Sequence, residues 1–300
     1  MRVFLTGASG HVGAALIPEL RSAGHQVIGL ARSDASAATI EARGAQVRRG
    51  DLDDLDQLRE AAADSDGVIH LAFKHDAMIA GDLDGAAGAD LAAVRALADG
   101  LAGTDKPLVA TAGTAMLAMA GLGRAGTEDD TLPAGYRIDT ENLIVELAQR
   151  GIRSSVLRLP PVVHSSLDKH GFVPILINIA RDKGVSGYLG DGANHWCAGH
   201  TLDVARLYRL ALEHAPAGSR LHAVGDESIP LRQIAETIGR HLDLPTASIA
   251  TDQAGEHFGW FGAMVALDNP TSSERTRQLL DWKPEHLGLL ADLDEGHYFA

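Results

Sequence analysis

The stretch "LTGASGHVGAAL" constrains this chain most, because it sets glycines at 7, 10 and 13 between a strand pattern and a helix pattern. Gly7 allows a tight turn, Gly10 lets the backbone approach a pyrophosphate, and Gly13 lets the helix pack against the strand. Ser9, Gly10, His11, Val12 and Gly13 then lie at a helix N-terminus, whose free N–H groups and positive dipole end suit phosphate. The spacing is G-x-x-G-x-x-G, and it points to a dinucleotide because it opens a strand–helix–strand unit. No G-x-x-x-x-G-K-[ST] loop for nucleoside triphosphates and no G-x-S-x-G nucleophile elbow occurs in the chain.

Beyond the loop, short Val/Ile/Leu-rich strands recur at 2–6, 26–31, 45–50, 67–72, 107–112 and 153–159. Helix patterns fall between them at 11–23, 54–63, 84–102 and 136–150. That alternation predicts an α/β fold with a doubly wound parallel sheet covered on both faces. After residue 160 the rhythm changes to helices at 172–182, 202–213 and 231–242, with short strands at 186–190 and 220–225. The expected organisation is a dinucleotide-binding domain over 1–160 and a smaller, mainly substrate-binding C-terminal lobe over 161–300, with some return to the sheet.

Composition narrows the partners. With 26 basic against 40 acidic residues the formal charge is −14, a field that repels nucleic acid and anionic membranes. The single cysteine, Cys197, allows no intrachain disulfide, and a reducing, cytoplasmic setting is expected. No apolar run is long enough to span a bilayer. A small-molecule substrate is expected, and the first domain's surface helices offer faces for a homodimer.

At the end of the second strand, where an NAD binder places a ribose-binding carboxylate, the chain reads "GLARSD". Ala31 stands at the expected place, followed by Arg32 and Ser33, which favour the 2′-phosphate of NADP. NAD is the alternative, with Asp34 on the ribose.

Several motifs together resemble the extended short-chain dehydrogenase/reductases, the superfamily of NAD-dependent epimerases and dehydratases. They are "TGASGHVG" (6–13), "RGDLDD" (49–54), "HLAF" (70–73), "LRLPPVVH" (157–164), "TLDVARLYRLAL" (201–212) and "LLDWKP" (279–284). The resemblance implies a Rossmann-type fold, with Asp51 and Leu52 flanking the adenine and Leu71, Ala72 and Phe73 beside the nicotinamide ribose. "HLAFKHD" and "PPVVH…HGFVP" resemble, more narrowly, an atypical subgroup lacking the usual active-site signature. In the superfamily a Tyr with a Lys four residues on protonates the alkoxide, assisted by a Ser or Thr after the fifth strand. Here "GYRIDTENLI" offers Tyr136 with Thr140 at the lysine place; in the other register Arg137 and Glu141 take the two positions. Thr114 and Thr111 are the candidate hydroxyls, since Ala112 and Gly113 stand where serines are frequent.

His75, next to Lys74, follows the fourth strand and is a second candidate for the missing proton or cation. His164, at the hinge between the lobes, is expected near substrate, and Trp196 is expected as a wall of the substrate pocket or a core residue. "NHWCAGH" groups His195, Cys197 and His200, but the spacing matches no usual zinc pattern, so no metal is expected. The expected activity is an NADP(H)-dependent oxidoreductase acting on a carbonyl or alcohol. The competing readings are a sugar-nucleotide epimerase or dehydratase and a non-catalytic NADP-binding sensor.

Overall fold

Strand β1 (Arg2–Thr6) and helix α1 (His11–Ser22) bracket the glycine loop, and β2 (Gln26–Ala31) pairs with β1 in parallel. A computed structural model describes residues 1–300, the side chain of Ile79 excepted. Helix α1 carries Pro18 and buries Gly13, Ala15, Leu16, Ile17 and Leu20 on the sheet. The chain continues through α2 (Asp34–Ala42), β3 (Gln46–Arg49), α3 (Leu55–Ala63) and β4 (Gly67–His70). Next come α4 (His75–Ile79), α5 (Leu83–Leu101), β5 (Pro107–Gly113), α6 (Ala115–Met119), α7 (Ile138–Glu146) and β6 (Arg153–Leu159).

Helix α2 was not expected from periodicity, and the reason is local. It buries only Ala37 and Ile40, so its apolar stripe is too thin to read. Its start is fixed instead by a capping box, in which the Ser33 hydroxyl accepts from Ser36 N–H at 3.2 Å.

The second half holds β7 (Val162–His164), α8 (Phe172–Lys183), β8 (Ser186–Leu189), β9 (His195–His200) and α9 (Thr201–His214). It ends with β10 (Ser219–His222), β11 (Asp226–Pro230), α10 (Leu231–Leu242), β12 (Thr246–Ile249) and the short helices α11 (Ala254–Phe258), α12 (Gly262–Val265), α13 (Glu274–Leu280) and α14 (Leu289–Asp294). The main sheet has seven parallel strands in the order β10-β6-β5-β4-β1-β2-β3. A three-stranded sheet, β11-β9-β7, and a pair, β12-β8, build the smaller lobe with α8, α10 and α14.

Strand β10 was expected within the lobe, yet it is the edge strand of the main sheet, with Leu221 opposite Leu157. Helix α9 is the crossover that a parallel partner for β6 requires, and it lies against α1. One core therefore joins α1 and α9: Leu16, Ile17 and Leu20 cluster with Val204, Leu207, Tyr208 and Leu212.

Candidate active site

The order β4-β1-β2 puts the sheet's switch point at β1, where a crevice opens beyond the carboxyl ends of the strands. The glycine loop fills one side of that crevice. Gly7 is left-handed (φ 68°), and a Cβ there would stand 2.8 Å from the Ala72 nitrogen. A Cβ on Gly13 would fall 2.5 Å from the Ala8 carbonyl oxygen, so only glycine lets α1 pack this closely. Gly10 caps α1 with no side chain over the helix end, which leaves the first-turn N–H groups for a ligand. His11 does not face phosphate alone: its Nε2 donates to Thr201 Oγ1 at 2.8 Å, tying the loop to α9. The direction follows because the Thr201 hydroxyl itself donates to the His164 carbonyl at 2.9 Å.

On the adenosine side, Ala31 ends β2 and Arg32 is 70% exposed, its guanidinium 3.5 Å from Asp76. Asp34 is exposed and pairs through one carboxylate oxygen with Arg49, and Ser33 caps α2. Leu52 is buried and Asp51 exposed. Lys74 is bound to Asp53 at 2.6 Å.

That side is organised around Phe73. The Arg137 guanidinium lies 4.2 Å over its ring, while His75 and Tyr136 meet it edge-on at 5.3 and 6.2 Å between centroids. Arg137 Nη2 donates to the Thr111 carbonyl at 2.7 Å, which fixes the group at the carboxyl end of β5. Behind it runs a buried relay: Thr6 Oγ1 to His70 Nδ1 (2.8 Å), and His70 Nε2 to Asp90 Oδ1 (3.2 Å). Three buried polar atoms of this group have no partner: Tyr136 Oη, Arg137 Nε and Asp90 Oδ2. Unpaired buried donors and acceptors are costly, so these atoms are open to a polar partner.

The electrostatics follow from burial. Desolvation pushes the Tyr136 phenol up, Arg137 opposes that shift and Asp90 adds to it. Burial, with Arg137 beside it, pushes His75 down, which leaves a neutral ring. Burial would raise Asp90, but His70, Arg137 and Thr140 hold it below the usual carboxylate range.

Thr140 is buried at the lysine position against Asp90, and Glu141 is no catalytic group. Glu141 accepts from Arg158 Nε and from Arg220 Nε, both at 2.9 Å. Arg158 also donates to the Asp130 carbonyl at 2.7 Å, so this ion cluster secures both α7 and the loop that delivers Tyr136.

Three expected site residues stand elsewhere. The Thr114 hydroxyl is fully buried against Asn269 Nδ2 (3.0 Å) and Cys197 Sγ (3.4 Å), so it does not serve Tyr136. The other candidate, Thr111, bonds the His70 carbonyl and the Tyr208 hydroxyl. His164 is completely buried with Nδ1 on Asp292 at 2.9 Å, and Trp196 is a core residue packed on Phe172 and Phe261. Sequence reasoning had passed over Asp90, His70 and Arg158; an acidic residue on the apolar face of α5 was the available signal for the first.

The histidine-rich segment does not gather a metal set either. Strand pleating sends His195 and Cys197 to one face of β9 and His200 to the other. His200 does meet Asp203 and His286. Its Nδ1, however, accepts the Leu202 N–H at 3.2 Å, which places the proton of the neutral ring on Nε2. Asp203 accepts from the Glu285 and His286 backbone at 3.1 Å, so the triplet reads as a clasp for that turn.

Sheet order, glycine loop and the Tyr136 position together define an extended short-chain dehydrogenase/reductase. Residues 3–224 match the NAD dependent epimerase/dehydratase family, and the chain belongs to that family. It is 45% identical to the uncharacterized protein C2A9.02 of Schizosaccharomyces pombe over all of both chains. It is 27% identical to a 4-hydroxy-2-methyl-3-oxo-4-farnesyl-3,4-dihydroquinoline-1-oxide ketoreductase of Stigmatella aurantiaca, covering 86% of this chain and 80% of that one. Among solved structures, UDP-glucose 4-epimerase of Thermotoga maritima shares the fold with a TM-score of 0.79 at 17% identity, over 100% of this chain and 98% of that one. The dTDP-glucose 4,6-dehydratase of Streptomyces venezuelae, solved with NAD bound, gives 0.75 at 18% identity over 99% and 96%. Among the described residues, no helix is long and apolar enough to cross a membrane.

Proposed function

We propose that this protein is an NADP(H)-dependent oxidoreductase that reduces a carbonyl of a small organic molecule, with Tyr136 as the proton donor. The carrying observation is that Tyr136 and Arg137 both pack on Phe73 while Tyr136 Oη and Arg137 Nε are buried without a partner. Gly7, Gly10, Gly13 and the open end of α1 would hold the pyrophosphate, and Arg32 a 2′-phosphate. The nicotinamide, when bound, supplies the hydride to the carbonyl carbon. Tyr136 gives its phenolic proton to the carbonyl oxygen as the alkoxide forms, and the phenolate takes a proton back from water. His75, edge-on to the same ring as Tyr136, is an uncharged base available to aid that return. The ketoreductase relative supports a carbonyl substrate.

The test is fluorescence titration with NADPH and NADH, followed by turnover of a panel of aldehydes, ketones and quinones. Absence of binding to both nucleotides sinks the reading. Turnover that survives intact in Tyr136→Phe removes the tyrosine from it and leaves His75 or water.

The family also includes enzymes acting on sugar nucleotides, and that reading has one specific difficulty. Arg206, Arg220, Arg232 and Arg240 are each paired with a carboxylate, and Arg277 donates to the Val224 and Gly225 carbonyls. A sugar-linked diphosphate that recruited one of these arginines would compete with its present partner, whereas Lys169 carries no such pair among the described residues. Thermal stabilisation by UDP-glucose or dTDP-glucose would favour it over the carbonyl reductase.

A further inference from the structure

The superfamily's lysine supplies a positive charge beside the tyrosine, and Thr140 cannot. The other basic side chains of these segments are Lys74, Arg32, His75 and His70. Lys74 is held by Asp53 at 2.6 Å, and Arg32 faces Asp76 from an exposed position. His75 is pushed toward its neutral form, and His70 spends both ring nitrogens on Thr6 and Asp90. Among the described residues of this group, Arg137 alone brings a permanent charge to the phenol.

Its backbone shows how. Arg137 is one of four non-glycine residues with positive φ, at 58°, immediately before the first turn of α7. A left-handed backbone is disfavoured for any residue that carries a Cβ. That conformation places the side chain under its own neighbour, where the guanidinium is trapped between the Phe73 face and the Thr111 carbonyl. One Nη of the guanidinium is thereby used, while its Nε is buried and unpaired, as is the hydroxyl of Tyr136, whose ring meets the same Phe73 edge-on. The field of Arg137 opposes the burial that raises the phenol.

We infer that Arg137 replaces the lysine as the cation that makes Tyr136 a usable acid, entering from the next residue along the chain instead of from one helical turn away. It acts through Tyr136 and is a positioning residue; the proposal rests on Tyr136 being the proton donor. A guanidinium keeps its charge over the whole working pH range. It can therefore hold the phenolate but cannot pass a proton to it, so return of the proton falls to water or His75. A lysine could do both.

The test reads the phenol directly and needs neither cofactor nor substrate, so it stands or falls separately from turnover. Protein labelled with difluorotyrosine is titrated by fluorine NMR, with Tyr136→Phe assigning the resonance among the four tyrosines. Fluorination lowers the phenol's titration into the range where the protein is folded. In Arg137→Gln the Tyr136 midpoint should rise by about one pH unit or more, and Arg137→Lys should return most of that shift. Arg137→Gly removes the charge while suiting positive φ, and it covers the case in which the glutamine variant does not fold. An unchanged Tyr136 midpoint in a folded Gln or Gly variant overturns the proposal.

Discussion

Tyr136 and Arg32 are the residues on which the chemistry can be tested singly. Tyr136→Phe keeps the ring edge on Phe73 and removes only the hydroxyl. It should lower kcat/KM by about 100-fold or more with NADPH binding little changed, as measured by steady-state kinetics beside nucleotide titration. Arg32 is exposed and lightly held, so Arg32→Ala should leave melting unaltered. It should weaken NADPH by about 10-fold relative to NADH, because one charge-assisted contact is lost. At this scale the sequence was partly legible. Gly7 and Gly13 could be read because no other residue fits their turns, whereas the missing lysine left Tyr136 and Arg137 as two registers of one motif. The conformation of Arg137 could not be read, since nothing in "GYRID" announces a left-handed arginine folded under its neighbour.

Helix α7 owes its position to an ion cluster more than to an apolar face. Arg158, Arg220 and Glu141 are interior or nearly so, and burial alone would push Glu141 upward. The two arginines instead hold it below the usual carboxylate range. Removing one partner of such a cluster leaves a buried charge unmatched. Glu141→Gln should therefore destabilise the protein by about 3 kcal/mol, read as a lower urea midpoint, and should loosen the loop that carries Tyr136. Strands β1 to β6 and the longer helices α1, α3, α5 and α7 start within two residues of where periodicity put them, whereas the one-turn helices α4 and α6 are too short to show a period. Helix α2 was not legible, because a capping box and two buried residues define it. Neither was the sheet to which β10 belongs, which depends on α9 crossing over and not on the four residues of the strand.

For the molecule as a whole, acid should be the weakness. The His222 ring donates from Nδ1 to the Ser272 carbonyl at 2.7 Å and accepts from Arg158 at Nε2 at 3.1 Å, an arrangement open only to the neutral form. Burial pushes it down to about 4. Burial, with His164 and His286 alongside, does the same to His200, to about 4. Unfolded histidines take up protons near pH 6.5, so the unfolded state binds more protons below that value. The stability these two rings contribute is complete above about pH 6.5 and drains away as pH falls toward about 4. Urea midpoints measured from pH 7.5 to 4.5 should decline across that window, and His222→Gln should flatten the slope. A flat profile in the parent protein would contradict the neutral assignment.

The α1–α9 contact also sets the unit in which this protein can be divided. Tyr208 of α9 bonds Thr111 of β5, and Arg153 of β6 donates to the Leu212 carbonyl near the end of the same helix. A fragment cut near residue 160 would expose the flank of α1 and leave β6 as a bare edge, a template for misassembly. Such a fragment should express as aggregate, whereas one cut after β10 keeps the nucleotide-binding layer whole. Exchange of substrate lobes between relatives, in nature or in the laboratory, would then have to splice around α9 and β10 and leave both with their parent sheet.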